Sequence, residues 1–222
     1  MLLGAPTAAA ATNLNGITTR TLLSLNSVVA VGALTVIGCD NFTGTNGASL
    51  GGRVGTTAVA YSAISWSINT GAWTLSANRA RSGTAVSSVV TAGTSTANST
   101  IGVTLTGVNT GLRFGGLVSS HNGVDTYLAV VAINGTPDRI ELRLIKAGVS
   151  SVIASVNTTL VGTNTVRMTR QSGSVSIVLN SVTVLNVTLS ALQVADLGVA
   201  TRAGLFGGST SVMFDNFFAS NP

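Results

Sequence analysis

The stretch Val212-Met-Phe-Asp-Asn-Phe-Phe218 closes the chain, and its Asp215-Asn216-Phe217 repeats Asp40-Asn41-Phe42 far upstream. Just ahead of it stands Gly204-Leu-Phe-Gly-Gly208, a short apolar run ending in turn-forming glycines. Two similar aromatic-bearing strands bracketing so long a segment predict a domain whose ends lie side by side. Asp40–Phe42 should then sit beside Asp215–Phe217, with Phe42, Phe214 and Phe217 in the core and Asp40 and Asp215 near strand ends. The same clasp sets a boundary: residues 40–222 are the domain, and residues 1–39 precede it as an arm.

Between the two ends, short runs rich in Val, Ile, Leu and Thr alternate with turn signals. Tyr61–Ile68 and Ala72–Arg81 carry Trp66 and Trp73 around Asn69-Thr-Gly71. Further strands are expected at Val86–Thr91, Ile101–Thr106, Leu112–Val118, Asp125–Ile133, Arg139–Lys146 and Val149–Val156. The last third offers Thr165–Arg170, Val175–Leu179, Val182–Val187, Ala203–Phe206 and Val212–Phe218. Asn109-Thr-Gly111, Asn122-Gly123, Asn134-Gly135 and Ser172-Gly173 mark turns. Alternation is clear in Ile140-Glu-Leu-Arg-Leu144, and only Leu189–Leu197 suits a helical turn or two. A dozen or more short strands at regular spacing make the chain all-β, an antiparallel sandwich.

Charged residues are 8% of the 222 residues, against roughly 25% in an ordinary globular protein. Apolar residues are 45%, so the polar surface is built from Thr, Ser, Asn and Gly. Such a surface resists association poorly, which predicts a stable assembly or an extracellular setting. The net charge of +5 sets 11 basic residues, scattered singly, against 6 acidic ones. A nucleic-acid site shows a clustered basic stripe with aromatics for stacking, and neither is present. Cys39 is the single cysteine and His121 the single histidine. Intrachain disulfides, cysteine metal clusters and multi-histidine zinc sites are excluded.

Residues 1–39 differ in texture, with an Ala-rich start and an apolar span from Leu22 to Ile37. That span is short for a bilayer crossing of about 20 residues, so no membrane passage is expected. Its Val, Thr and Leu content suits extended strands, and the expected role is an attachment and assembly arm. Val36-Ile37-Gly38-Cys39 also has the form of a lipobox, in which Cys39 would carry a lipid after cleavage; the first twenty residues hold one base where an export signal wants several.

The order of features resembles the laminin-G-like, concanavalin-like lectin jelly rolls found in bacteriophage virion proteins and bacterial surface proteins. The residues that carry the resemblance are Asp40-Asn41-Phe42, Ser49-Leu50-Gly51-Gly52, Trp66, Trp73, Gly111–Gly115, Tyr127, Arg139–Leu144, Gly204–Gly207 and Phe214–Phe217. It implies a jelly-roll β-sandwich whose first and last strands pair. It also implies two functional branches, glycoside hydrolysis and binding or architecture.

Glycoside hydrolysis needs two carboxylates, about 5–9.5 Å apart depending on mechanism. Glu141 is the only glutamate, and its same-face neighbours at two residues' distance are Arg139 and Arg143. No catalytic residue is therefore assigned. A calcium site needs about 6–8 oxygens, and Asp40, Asp125, Asp138, Asp196 and Asp215 are each isolated in sequence. Asp40 and Asp215 could approach through the clasp, but backbone hydrogen bonding is the expected role, and no cofactor is assigned. For a glycan, the expected rim cluster is Tyr127 with Asp125 and His121. Trp66 and Trp73 are expected in the core, and His121, in Ser-Ser-His-Asn-Gly, in an exposed hairpin turn. The functional expectation is a non-enzymatic virion structural protein: a capsid-decorating, head-fibre or minor tail protein on the virion surface. Its partners would be other virion proteins through residues 1–39, copies of itself, with a trimer as the expected symmetry, and host-surface glycans. The alternative is a carbohydrate-binding module on a bacterial surface, secreted or anchored at Cys39.

Overall fold

The computed structural model describes residues 36–55, 62–84, 87–93, 97–123 and 125–222. Residues 1–35 of the expected arm, and Tyr61, lie outside these. Sixteen strands are formed among the described residues: β1 (Val36–Asp40), β2 (Ser62–Ala63), β3 (Trp66–Thr70), β4 (Trp73–Leu75), β5 (Ala80–Ser82), β6 (Ser88–Gly93), β7 (Ser99–Thr106) and β8 (Phe114–His121) come first. Then follow β9 (Tyr127–Ile133), β10 (Arg139–Lys146), β11 (Val149–Asn157), β12 (Thr163–Gln171), β13 (Ser174–Leu179), β14 (Val182–Thr188), β15 (Arg202–Gly207) and β16 (Met213–Ser220). One short helix, α1 (Ala191–Leu197), separates β14 from β15.

The strands form two sheets. One runs β14-β13-β12-β7-β16-β1-β2, with β5 attached to β16 and β4 to β5; the other runs β11-β10-β9-β8-β15-β6-β3. Pairing is antiparallel throughout except between β1 and β2. The result is an antiparallel jelly-roll sandwich. The clasp forms: Asp40 faces Phe217 and Cys39 faces Phe218 across the β1–β16 ladder. Because β1 starts at Val36, Gly38 and Cys39 belong to the sheet, ahead of the boundary expected at Asp40.

Alternation sets the core. In β12 Val166, Met168 and Arg170 are buried between more exposed neighbours, and β13 repeats the pattern. Trp66 lies between Phe42 and Phe217, with ring centroids at 5.6 and 5.0 Å. Trp73 packs on Phe214 at 5.4 Å. All five rings are buried, at separations where aromatic pairs attract.

The seven-stranded sheet is apolar on both faces. Leu128, Val130 and Ala132 of β9 join the inter-sheet core, whereas Tyr127, Ala129 and Val131 join Val89, Val118, Ile145 and Phe206 in a second cluster. Two glycines let its backbones approach. A Cβ on Gly116 would lie 1.8 Å from the Val130 carbonyl oxygen, and one on Gly204 would lie 1.9 Å from that of Val90. No other residue fits there.

Two expectations are corrected. Ala72–Arg81 is not one strand but the hairpin of β4 and β5, turned at Ala77 and Asn78, both in the left-handed region. His121 is not in an exposed turn: β8 continues to it, and it is buried. No helix among the described residues is long and apolar enough to cross a membrane.

Candidate functional site

A register shift between β8 and β15 shapes the end of the seven-stranded sheet. Arg202 faces His121 and Gly204 faces Val118, so two residues of β8, Ser119 and Ser120, oppose Ala203 alone. This is a bulge, a device that re-aims side chains, and Ser120 takes a left-handed φ of 57°. Ser120 Oγ consequently accepts a hydrogen bond from Arg170 of the other sheet. His121 is set beside Arg202 and stacks on Tyr127, with centroids 5.4 Å apart.

His121 is only 2% exposed. Its Nδ1 accepts a hydrogen bond from the Gly123 N–H at 3.1 Å, which assigns the ring proton of the neutral imidazole to Nε2. Nε2 has no partner. Burial, and then the charge of Arg202, hold the imidazole below its ordinary pKa, against the opposing pull of Asp125. It is therefore a neutral donor at neutral pH.

Arg202 donates from Nε to Thr91 Oγ1 at 2.9 Å and from one terminal nitrogen to the Thr91 carbonyl at 3.1 Å. Thr91 Oγ1 in turn donates to Asn69 Oδ1 at 2.8 Å. The guanidinium is thus held along one edge, and it forms no ion pair among the described residues. His121, Asn122 and Gly123 line one side of an open cleft, and Leu197 to Arg202 line the other, around a volume of about 340 Å³. Helix α1 fixes the second wall. Its N-terminus is closed by a Ser190–Gln193 capping box, and it ends at Gly198. A cleft of this size lies in the range of small-ligand sites, roughly 300–1,000 Å³.

Of the expected rim residues, the structure brings all three together but not as a rim. Tyr127 is buried, and burial followed by the charge of Asp125 pushes its hydroxyl up to about 12. It supports the His121 ring. Asp125 is exposed in a left-handed turn, its carbonyl accepting from the Gly148 N–H at 3.2 Å. Arg202 is the member that sequence reasoning missed. An isolated Arg ahead of Gly204-Leu-Phe carries no local sign of which strand it will face.

The other candidates are structural. Asp40 is buried and accepts from the Phe42 N–H at 2.8 Å, Trp66 Nε1 at 2.8 Å and Arg53 Nε at 3.3 Å. Donors occupy the oxygens a cation would need. Asp215 is half-buried, burial raises its carboxyl above the ordinary range, and its Oδ1 accepts from the Asn216 N–H. Among the described residues no three His, Cys, Asp or Glu side chains are grouped to hold a metal. Glu141 is gripped by Arg139 and Arg143, each at 2.6 Å. Burial opposes its ionisation, but both arginines outweigh that and hold its carboxyl below the usual range. A carboxylate so held is a poor proton donor.

No family model matches the sequence, and no curated protein matches it. Solved structures do resemble the fold. The carbohydrate-binding module CBM66 from Bacillus subtilis superposes with a TM-score of 0.60 at 15% identity, over 70% of this chain and 95% of that module. The GH43 protein BlXynB from Bacillus licheniformis gives 0.57 at 12% identity, over 83% of this chain and 39% of that protein. The exoplasmic/lumenal domain of VIP36, in a Ca2+/Man-bound form, gives 0.51 at 10% identity, over 69% of this chain and 82% of that domain. At such identities the likeness establishes the lectin-like jelly-roll fold.

Proposed function

We propose that this chain is a non-enzymatic, glycan-binding display module whose ligand seats in the cleft between His121 and Arg202. The observation that carries the reading is the donor pair itself: a buried imidazole N–H without an acceptor, beside a guanidinium without a carboxylate, both lining an open cleft. Sugars are recognised through hydroxyl and ring oxygens that need such donors in a fixed geometry. The only glutamate is held by two arginines, which supports binding without hydrolysis.

The finer reading places the module on a virion surface, held to other virion proteins by residues 1–39 and repeated as a homo-oligomer, with a trimer as the expected form. Its support is the surface of Thr, Ser and Asn with 8% charged residues, and the resemblance to virion modules. The second reading, a bacterial surface module lipidated at Cys39, rests on Val36-Ile37-Gly38-Cys39. Cleavage there would remove three residues of β1. Glycan-array binding by the full chain tests the ligand. Selective binding that is lost in His121→Ala, with the circular dichroism spectrum unchanged, is the expected result. Absence of any binding across the array refutes the glycan reading. Mass spectrometry of the mature chain tests its location, and an N-terminus at Cys39 overturns the virion arm.

A further inference from the structure

Resting on the glycan reading, we infer that the sugar recognised in this cleft carries a carboxylate, which bridges Arg202 and His121. Three observations lead there. First, Arg202 has its Nε and one terminal nitrogen committed to Thr91, which leaves the other terminal nitrogen as a donor beside the cleft. Second, the neighbouring imidazole offers one more N–H, from Nε2, with the ring orientation fixed by the Gly123 bond and by the Tyr127 stack. Two donors lining one cleft match the two oxygens of a planar carboxylate, and a charge-assisted pair of that kind is among the stronger hydrogen-bond arrangements. Third, no carboxylate among the described residues lines the cleft, and a second cation lies outside its lining. Arg170, 3% exposed and with Nε unpartnered, donates to the hydroxyl of Ser120, the residue before His121.

The charge of the ligand is bounded as well. The charged groups that act on His121 are Arg202 and Asp125, and Asp125 is exposed at the mouth of the neighbouring turn. One exposed carboxylate beside one free guanidinium edge suits a singly charged acid. A doubly charged phosphate monoester would find one cation, Arg202, among the residues that line the cleft. A neutral sugar would pair the Arg202 edge only through hydroxyl or ring oxygens, in hydrogen bonds weaker than those to a carboxylate.

The deciding experiment is a glycan array with the full 222-residue chain, carrying uronic-acid, sialylated, sulfated, phosphorylated and neutral glycans, each carboxylated probe paired with its carboxyl-reduced form. Binding confined to carboxylated glycans, weakened at least about tenfold by carboxyl reduction, a difference of about 1.4 kcal/mol, is the expected result. Equal binding of reduced and acidic forms overturns the carboxylate while leaving glycan binding standing. Binding only to sulfated or phosphorylated probes also overturns it, and no binding at all overturns both readings. Because Arg202 also braces Thr91, its replacement could disturb the fold; the carboxyl-reduced arm uses the unaltered chain and needs no variant. Arg202→Lys adds a second check. It keeps the charge but not the fork, so the ratio of binding between carboxylated and carboxyl-reduced glycans should fall at least severalfold. Unchanged preference in a folded Arg202→Lys would count against the inference.

Discussion

Asp40 and the His121–Arg202 pair are both polar groups set among aromatics, and they have opposite accounts. At the clasp, one buried carboxylate collects N–H donors from Phe42, Arg53 and Trp66, tying the end of β1 to the first tryptophan beside the β1–β16 ladder. At the β8–β15 end the donors outnumber the acceptors. His121 Nε2 and Arg170 Nε have none, and Arg202 has no carboxylate. Other buried donors without partners occur among the described residues, on Trp73, Arg81 and Arg167, but of these five residues only His121 lines the cleft. A satisfied buried polar group holds a fold together, and an unsatisfied one beside open space is placed for a ligand.

The largest effect that can break this comparison is at Asp40. Asp40→Ala removes the acceptor of Trp66 Nε1 and of the Phe42 N–H, and it removes the carboxylate paired with the part-buried Arg53, whose terminal nitrogen keeps the Thr43 carbonyl. Breaking a buried charge pair in this way costs about 3–5 kcal/mol, so urea unfolding should show a large loss of midpoint with little change in slope. A loss below about 1 kcal/mol would mean the clasp does not depend on its carboxylate. Arg170→Met is the counterpart. It removes a buried cation whose Nε is unpartnered and whose own charge burial disfavours. A volume-matched apolar side chain there is often neutral or stabilising, by up to about 1–4 kcal/mol. Calorimetry should find a transition temperature equal to or above that of the parent, and a strong drop would show that the bond from Arg170 to Ser120 Oγ outweighs the cost of burying the cation.

The clasp was legible because it is written twice, as Asp40-Asn41-Phe42 and Asp215-Asn216-Phe217, and because a sandwich forces its end strands to find one another. The strands were legible for a similar reason: β10, Arg139–Lys146, carries its alternation within eight residues, and the neighbouring turns are marked by Asn-Gly pairs. The site was legible in part. His121, Asp125 and Tyr127 lie within seven residues of each other around one turn, so their proximity follows from chain connectivity. Arg202 arrives from 81 residues beyond His121, through a pairing that depends on the whole order of the sheet. The burial of His121 was equally hidden. Ser-Ser-His-Asn-Gly reads as a turn, and only the bulge at Ser120 carries the strand through to His121.

A pH series sharpens the contrast further. The folded-state pKa of His121 is depressed, so below its ordinary value of 6.5 the unfolded chain takes up a proton that the native state resists. The stability this residue confers is therefore complete above that pH and is lost as the pH falls from there through the lower folded value. His121→Gln, which cannot titrate, should flatten that part of the urea-midpoint curve. An identical slope in parent and variant would mean the ring is not buried as a neutral donor.

The smallest effect is expected at Glu141, although its two ion pairs are the shortest in the described structure. Its carboxyl pKa is depressed, so its contribution is present above the ordinary value of 4.5 and disappears as the pH falls through the lower folded one. Both arginine partners are substantially solvated, with side chains 38% and 26% exposed, and water screens most of the attraction. Glu141→Gln keeps the shape and two hydrogen-bonding atoms, and should cost no more than about 1 kcal/mol at neutral pH. Parent and variant should converge once the pH has fallen through that lower folded value. If the variant instead abolished glycan binding at neutral pH while remaining folded, the active carboxylate would be on β10 and the His121–Arg202 cleft would lose its claim, because the two regions would have exchanged their roles.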